Sequence, residues 1–119
     1  MNWIVVAAIL GSLAVAFGAF GAHGLRASAT PEQISSWSTA SQYQLLHSIA
    51  LLALALFGAT SCRPITLPAS LWTAGMICFS GSIYLLVLSP QSWLGPVTPL
   101  GGLLLIAGWL ALLRIAQPL

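Results

Sequence analysis

Polar residues punctuate this chain instead of alternating with apolar ones. Positions 3–22 hold no charge and a single hydroxyl, Ser12. A second apolar stretch, 45–59, is broken only by His47 and Ser48, and two more follow at 67–89 and 98–116. At 1.5 Å per residue the first run covers about 30 Å, the thickness of one bilayer core. The runs predict membrane-spanning helices near 3–23, 43–60, 67–88 and 98–116.

The second run alone is short, about 22 Å. Its upstream flank supplies the rest. Thr30-Pro31-Glu32-Gln33 combines a capping threonine, a proline at the first helical position and a glutamine that completes a capping box. Glu32 suits the positive end of the helix dipole. These signals predict one long helix, or a broken one, from about 31 to 60, with its first ten or so residues at the membrane surface. Thr98-Pro99 reads as a second cap-and-proline start, and Pro68 is tolerated in a first turn. The connections are short, Cys62-Arg63-Pro64 and 90–97. Trp3, Trp37, Trp72, Trp93 and Trp109 fall where interface anchors belong. A signal peptide is the competing reading of the first run, but it would want Lys or Arg in the opening residues, and Met1-Asn2 supplies neither.

Composition agrees with the runs. Of 119 residues 59% are hydrophobic and 3% charged, against roughly 25% in soluble domains, and mean hydropathy is +1.01. There is too little polar surface to cover a water-soluble globule, and too little charge for a disordered chain. The expected fold is an all-α, membrane-embedded four-helix bundle in one domain, 1–119, with an additional surface helical segment before the second span. Three arginines without a basic stripe exclude a nucleic-acid footprint. Cys62 and Cys78 are expected free and inert. Without a CxxC motif, or a carboxylate near either histidine, no metal or cofactor is expected.

Four spans put both termini on one side. Arg63 and Arg114 share that side and Arg26 lies on the other, which favours cytoplasmic termini. Lipid removes the ordinary hydrophobic drive between helices, so close packing falls to small residues. Candidates are Ala7, Gly11, Ala14, Gly18 and Ala22 on the first helix, Ala50 and Gly58 on the second, Ala74, Cys78, Gly81 and Ser82 on the third, and Gly101, Gly102 and Gly108 on the fourth. Part of this surface is also a candidate homo-oligomer contact.

The intramembrane polar groups are one-sided. His23, Gln42, Tyr43, Gln44, His47, Ser48, Ser80, Ser82, Tyr84 and Thr98 all fall toward the half that faces the first and third loops. Tyr43 and Gln44 lie four and three residues before His47, so each shares a helical face with it. A histidine in lipid is costly and tends to face a bundle interior or a wet cavity. His47 is therefore expected neutral and inward, bonded to Tyr43, Gln44 or a residue of the first or third helix. The cluster reads either as a mutual hydrogen-bonded lock or as a site for a polar head group or a proton relay. No carboxylate lies in any span, which argues against a proton-coupled pump, and no nucleophile–base–acid set is present.

Four strings are more specific: Gly18-Ala-Phe-Gly-Ala-His-Gly-Leu25, Thr39-Ala-Ser-Gln-Tyr-Gln-Leu-Leu-His47, Phe79-Ser-Gly-Ser-Ile-Tyr-Leu-Leu86 and Gly95-Pro-Val-Thr-Pro-Leu-Gly-Gly102. In this order, over nearly the whole chain, they resemble the DUF423 family, also called UPF0382, of small membrane proteins. The resemblance implies a four-helix integral membrane protein, in bacteria of the plasma membrane. Its motif positions fall on His23, Tyr43, Gln44, His47, Gly81, Tyr84, Thr98, Pro99 and Gly102. Members often carry an aromatic where this chain has Leu46, and a lysine where it has Arg26. The family brings no biochemical activity with it. The leading expectation is a non-enzymatic bundle whose cluster binds a lipid head group, a small polar ligand or a partner helix. An oligomeric small-solute or proton conduit is the alternative, and a subunit of an enzyme acting on a lipid-soluble substrate is the third. Membrane lipid, with a homo-oligomer or a partner membrane protein, is the expected company.

Overall fold

The computed structural model describes residues 2–117. Four α-helices follow one another: α1 (Trp3–His23), α2 (Pro31–Ser61), α3 (Thr66–Leu88) and α4 (Val97–Ile115), with a single 3-10 turn, Ser92–Leu94, before the last. All four are long and apolar enough to cross a membrane. The protein is an all-α bundle, elongated to 54 × 25 × 20 Å.

The helix starts follow local chemistry. Asn2 caps α1, its side-chain oxygen accepting from Ile4 N at 3.1 Å and Val5 N at 3.3 Å. At α2 the capping box is complete: Gln33 N donates to Thr30 Oγ1 at 3.1 Å, and Thr30 N donates to Gln33 Oε1 at 2.9 Å. Two orphan donors are thereby satisfied reciprocally. Of the two forms expected for this region, the structure takes the unbroken one. No glycine or proline falls between Pro31 and Gly58, and the helix runs for 31 residues, or about 46 Å. It stops at Cys62, which holds the left-handed conformation at φ 58° and donates its N–H to Gly58 O. The fourth helix begins at Val97 with Pro96 before it and no side-chain cap. Thr98 therefore sits inside the first turn, and its hydroxyl pairs with Ser82 on α3 instead of capping.

Each helix packs mainly against its neighbour in the chain, α1 on α2, α2 on α3 and α3 on α4. Small residues set the two hairpins. On α1, Ala7, Ala14 and Gly21 are buried at intervals of seven, and a Cβ at Gly21 would stand 2.3 Å from the Trp37 ring. Between α3 and α4 the approach is closer. A Cβ at Gly101 would lie 2.2 Å from Phe79 N and 2.7 Å from its Cα, one at Gly75 would meet Leu105, and one at Gly108 would meet Trp72. The small-residue ridge expected on α3 is shifted: Ala74 is exposed, Cys78 half-buried and Ser82 buried. This helix is flanked by two others, so it buries Ala69, Trp72, Gly75, Met76 and Ser80 over a broad face instead of one ridge. Gly81 also packs against nothing, its missing Cβ facing open space, and Gly102 reaches only Phe79 at 3.8 Å. Gly18, by contrast, lies 3.6 Å from Ser41 Oγ by the same measure.

The core has two parts. Ala7, Leu51, Leu54, Ala69, Trp72, Met76 and Leu105 form one. Leu25, Trp37, Ala40 and Tyr84 form the other, nearer the first loop. Trp37 and Trp72, expected as interface anchors, are each only 2% exposed. A glycine opposite each ring, Gly21 and Gly108, makes the room that draws these indoles inward.

Candidate functional site

Gln44 is the junction of the polar cluster. It sits on the inner face of α2, and its side-chain amide is used at both ends. Nε2 donates to Leu10 O of α1 at 2.8 Å, and Oε1 accepts from the Tyr84 hydroxyl of α3 at 2.8 Å. One side chain thus ties three helices together. Ser80 Oγ donates to Ala40 O at 2.7 Å, a second bond between α3 and α2. Trp37 Nε1 donates to Phe17 O at 2.6 Å, a second bond between α2 and α1. Phe17, Trp37 and Tyr84 pack edge-on or tilted about these bonds, with ring centroids 4.6 to 6.1 Å apart.

His47 lies one turn further along α2 and is 8% exposed. Nδ1 is 2.8 Å from Tyr43 O, and Nε2 accepts from Trp109 Nε1 of α4 at 3.0 Å. A carbonyl only accepts and an indole N–H only donates. The two partners together select the neutral imidazole with its proton on Nδ1. A doubly protonated ring would set two N–H groups against each other at Trp109. Around it, Trp72 and Trp109 meet at 4.7 Å, and each lies about 6 Å from the imidazole. Trp72 Nε1 is the one buried side-chain nitrogen or oxygen without a partner among the described residues.

The remaining expected members stand apart. His23 is exposed at the end of α1 and joins no other polar group of the cluster; α1 ends there, so its side chain has left the bundle. Tyr43 is 44% exposed, its ring against Phe79 at 5.0 Å, on the outer side of α2. Its backbone carbonyl pairs with His47 and its ring lies alongside the imidazole at 6.2 Å, but its hydroxyl takes no part in the cluster's hydrogen bonds. The partner of His47 on α4, Trp109, was not among the expected ones. Four surface grooves of about 260 to 540 Å³ run between helices, and neither Gln44, His47 nor Tyr84 lines any of them. Among the described residues, no three His, Cys, Asp or Glu side chains converge as metal ligands would.

The sequence profile described as "Protein of unknown function (DUF423)" matches residues 17–102. The chain belongs to the DUF423 family. Its match covers Gln44, His47, Ser80 and Tyr84, and leaves Trp109 outside. The relatives carry the name UPF0382 membrane protein. One from Staphylococcus aureus is 40% identical, covering 93% of this chain and 91% of its own. YwdK of Bacillus subtilis is 36% identical over 96% and 94%, and one from Schizosaccharomyces pombe is 41% identical over 91% and 95%. No solved structure matches the chain. Four apolar helices and these relatives make this DUF423 chain a multi-pass membrane protein.

Proposed function

We propose that the protein is a non-enzymatic membrane bundle whose Gln44–Tyr84–His47–Trp109 cluster locks the helices, and that lipid or partner contacts are made on its outer faces. One observation carries this reading: Gln44 uses both ends of its amide and His47 both ring nitrogens on partners within the chain. A head-group or relay site needs free donors or acceptors reached by water or ligand, and Gln44, His47 and Tyr84 line none of these four grooves, one of which reaches only the Trp72 and Trp109 edge of the cluster. The expectation of a cluster that itself binds a polar ligand gives way, in this proposal, to a structural role. Residence in a bacterial plasma membrane, with cytoplasmic termini, belongs to the same proposal. The orientation is supported by Arg63 and Arg114 outnumbering Arg26.

His47→Leu tests the reading. A lock predicts a loss of about 1 kcal/mol in detergent stability, the scale of hydrogen bonds between membrane helices, and Trp109→Phe should lose a similar amount. Stability equal to that of the parent protein, with a cellular phenotype abolished, would assign His47 to a binding or relay site instead.

A further inference from the structure

We infer that the cleft between the start of α3 and the end of α4 binds the phosphate of an anionic phospholipid. The inference rests on the reading that ligand contacts lie on the outer faces. It names the lipid class and the side chains that select it.

The cleft encloses about 410 Å³ and is walled by Arg63, Thr66, Leu67, Ala111, Arg114 and Gln117, among others. Two of the three arginines in the chain therefore flank one opening. The single acidic side chain, Glu32, stands in the first turn of α2, and Arg63 follows the far end of that helix, about 46 Å away. No carboxylate side chain is near enough to neutralise the pair. Arg63 is also held in place. Its Nη1 donates to Ile115 O and, at 2.6 Å, to Gln117 O. Those two bonds use both Nη1 hydrogens and fix the guanidinium plane. The Nε–H and the two Nη2–H donors remain, the edge that matches a phosphate bidentately. Arg114 is exposed on the opposite wall, and its length lets the charge rise toward head groups while the stem stays against the helix. Buried Ala111, one turn deeper, and buried Pro68 give the cleft an apolar floor suited to a glycerol backbone and the top of an acyl chain. Basic pockets between spans at the cytoplasmic face are where anionic head groups bind, and the proposed orientation puts this cleft there.

The test titrates the full-length protein in detergent micelles with dioleoylphosphatidylglycerol, dioleoylphosphatidylcholine and inorganic phosphate, and reads bound lipid by native mass spectrometry. The expected result is preference for phosphatidylglycerol over phosphatidylcholine. Arg114→Gln should reduce that preference about fivefold, the factor one basic side chain contributes near a membrane surface. Arg26→Gln, at the other end of the bundle, should leave it unchanged. Arg63 is unsuited as the first variant because it also bonds the end of α4. Equal binding of the two lipids, or an Arg26→Gln effect as large as that of Arg114→Gln, overturns the inference. So does displacement of phosphatidylglycerol by millimolar phosphate, which would mark a free-anion site. His47→Leu belongs in the same titration. An unchanged preference there keeps the cleft standing whatever that variant does to stability, whereas a preference lost by a folded His47→Leu protein would overturn cleft and lock together.

Discussion

Gly101 and Gly81 both lack a side chain, and the surroundings give that lack opposite consequences. At Gly101 an added Cβ would run into the backbone of Phe79, which has no flexible end to move. At Gly81 it would enter open space. Gly101→Ala should therefore force α3 and α4 apart and cost about 1–3 kcal/mol, the usual range for overpacking. Gly81→Ala should be neutral or slightly stabilising, since alanine is the better helix former. Thermal unfolding of both variants in detergent checks the pair, and equal losses would refute the packing argument. The sequence named both glycines as packing residues and had no means of separating them, because the facing atoms belong to another helix. Gln44, His47 and Tyr84 were legible as inward polar residues from helical spacing and the cost of exposing them to lipid. Their partners were not. Helical spacing shows which residues share a face of α2, but not which residue of α4 stands opposite His47. The helix starts at Pro31, so His47 lies mid-helix, level with Trp109.

Elements were legible where their signal is local in sequence. Apolar run length found all four helices, because a span needs about 20 residues without charge. The Thr30–Gln33 box found the start of α2, because capping needs only residues adjacent in sequence. Thr98-Pro99 has the same two residue types and is no cap: Pro96 and Val97 already continue the turn, and Ser82 across the hairpin takes the hydroxyl. Thr30→Ala should cost about 1 kcal/mol, the usual value of a cap. The loss should be local, with faster amide exchange in the first turn of α2 and little change beyond Trp37. Thr30→Ser should restore protection. Uniform acceleration along α2 would show that the cap supports the whole helix rather than its first turn.

For the molecule as a whole, Cys62 offers a reporter of orientation. It is exposed just beyond α2, on the side of the termini. With cytoplasmic termini, an impermeant maleimide should leave Cys62 unmodified in intact cells and modify it in inverted vesicles, in a Cys78→Ala background. Modification in intact cells would reverse the assignment, and equal modification in both would mean dual insertion. The placement of the close contacts bears on how the protein is made. The close approaches at Gly21, Gly75, Gly101 and Gly108 lie within the α1–α2 and α3–α4 hairpins, between segments that leave the ribosome in succession. The Gln44–Tyr84 and Ser80–Ala40 bonds join one hairpin to the other. Gln44 Oε1 thus enters the bilayer before Tyr84 is in reach, and the second hairpin closes the bundle by supplying the Tyr84 and Ser80 hydroxyls. Biogenesis is in this way divided into two insertion events and one polar docking step.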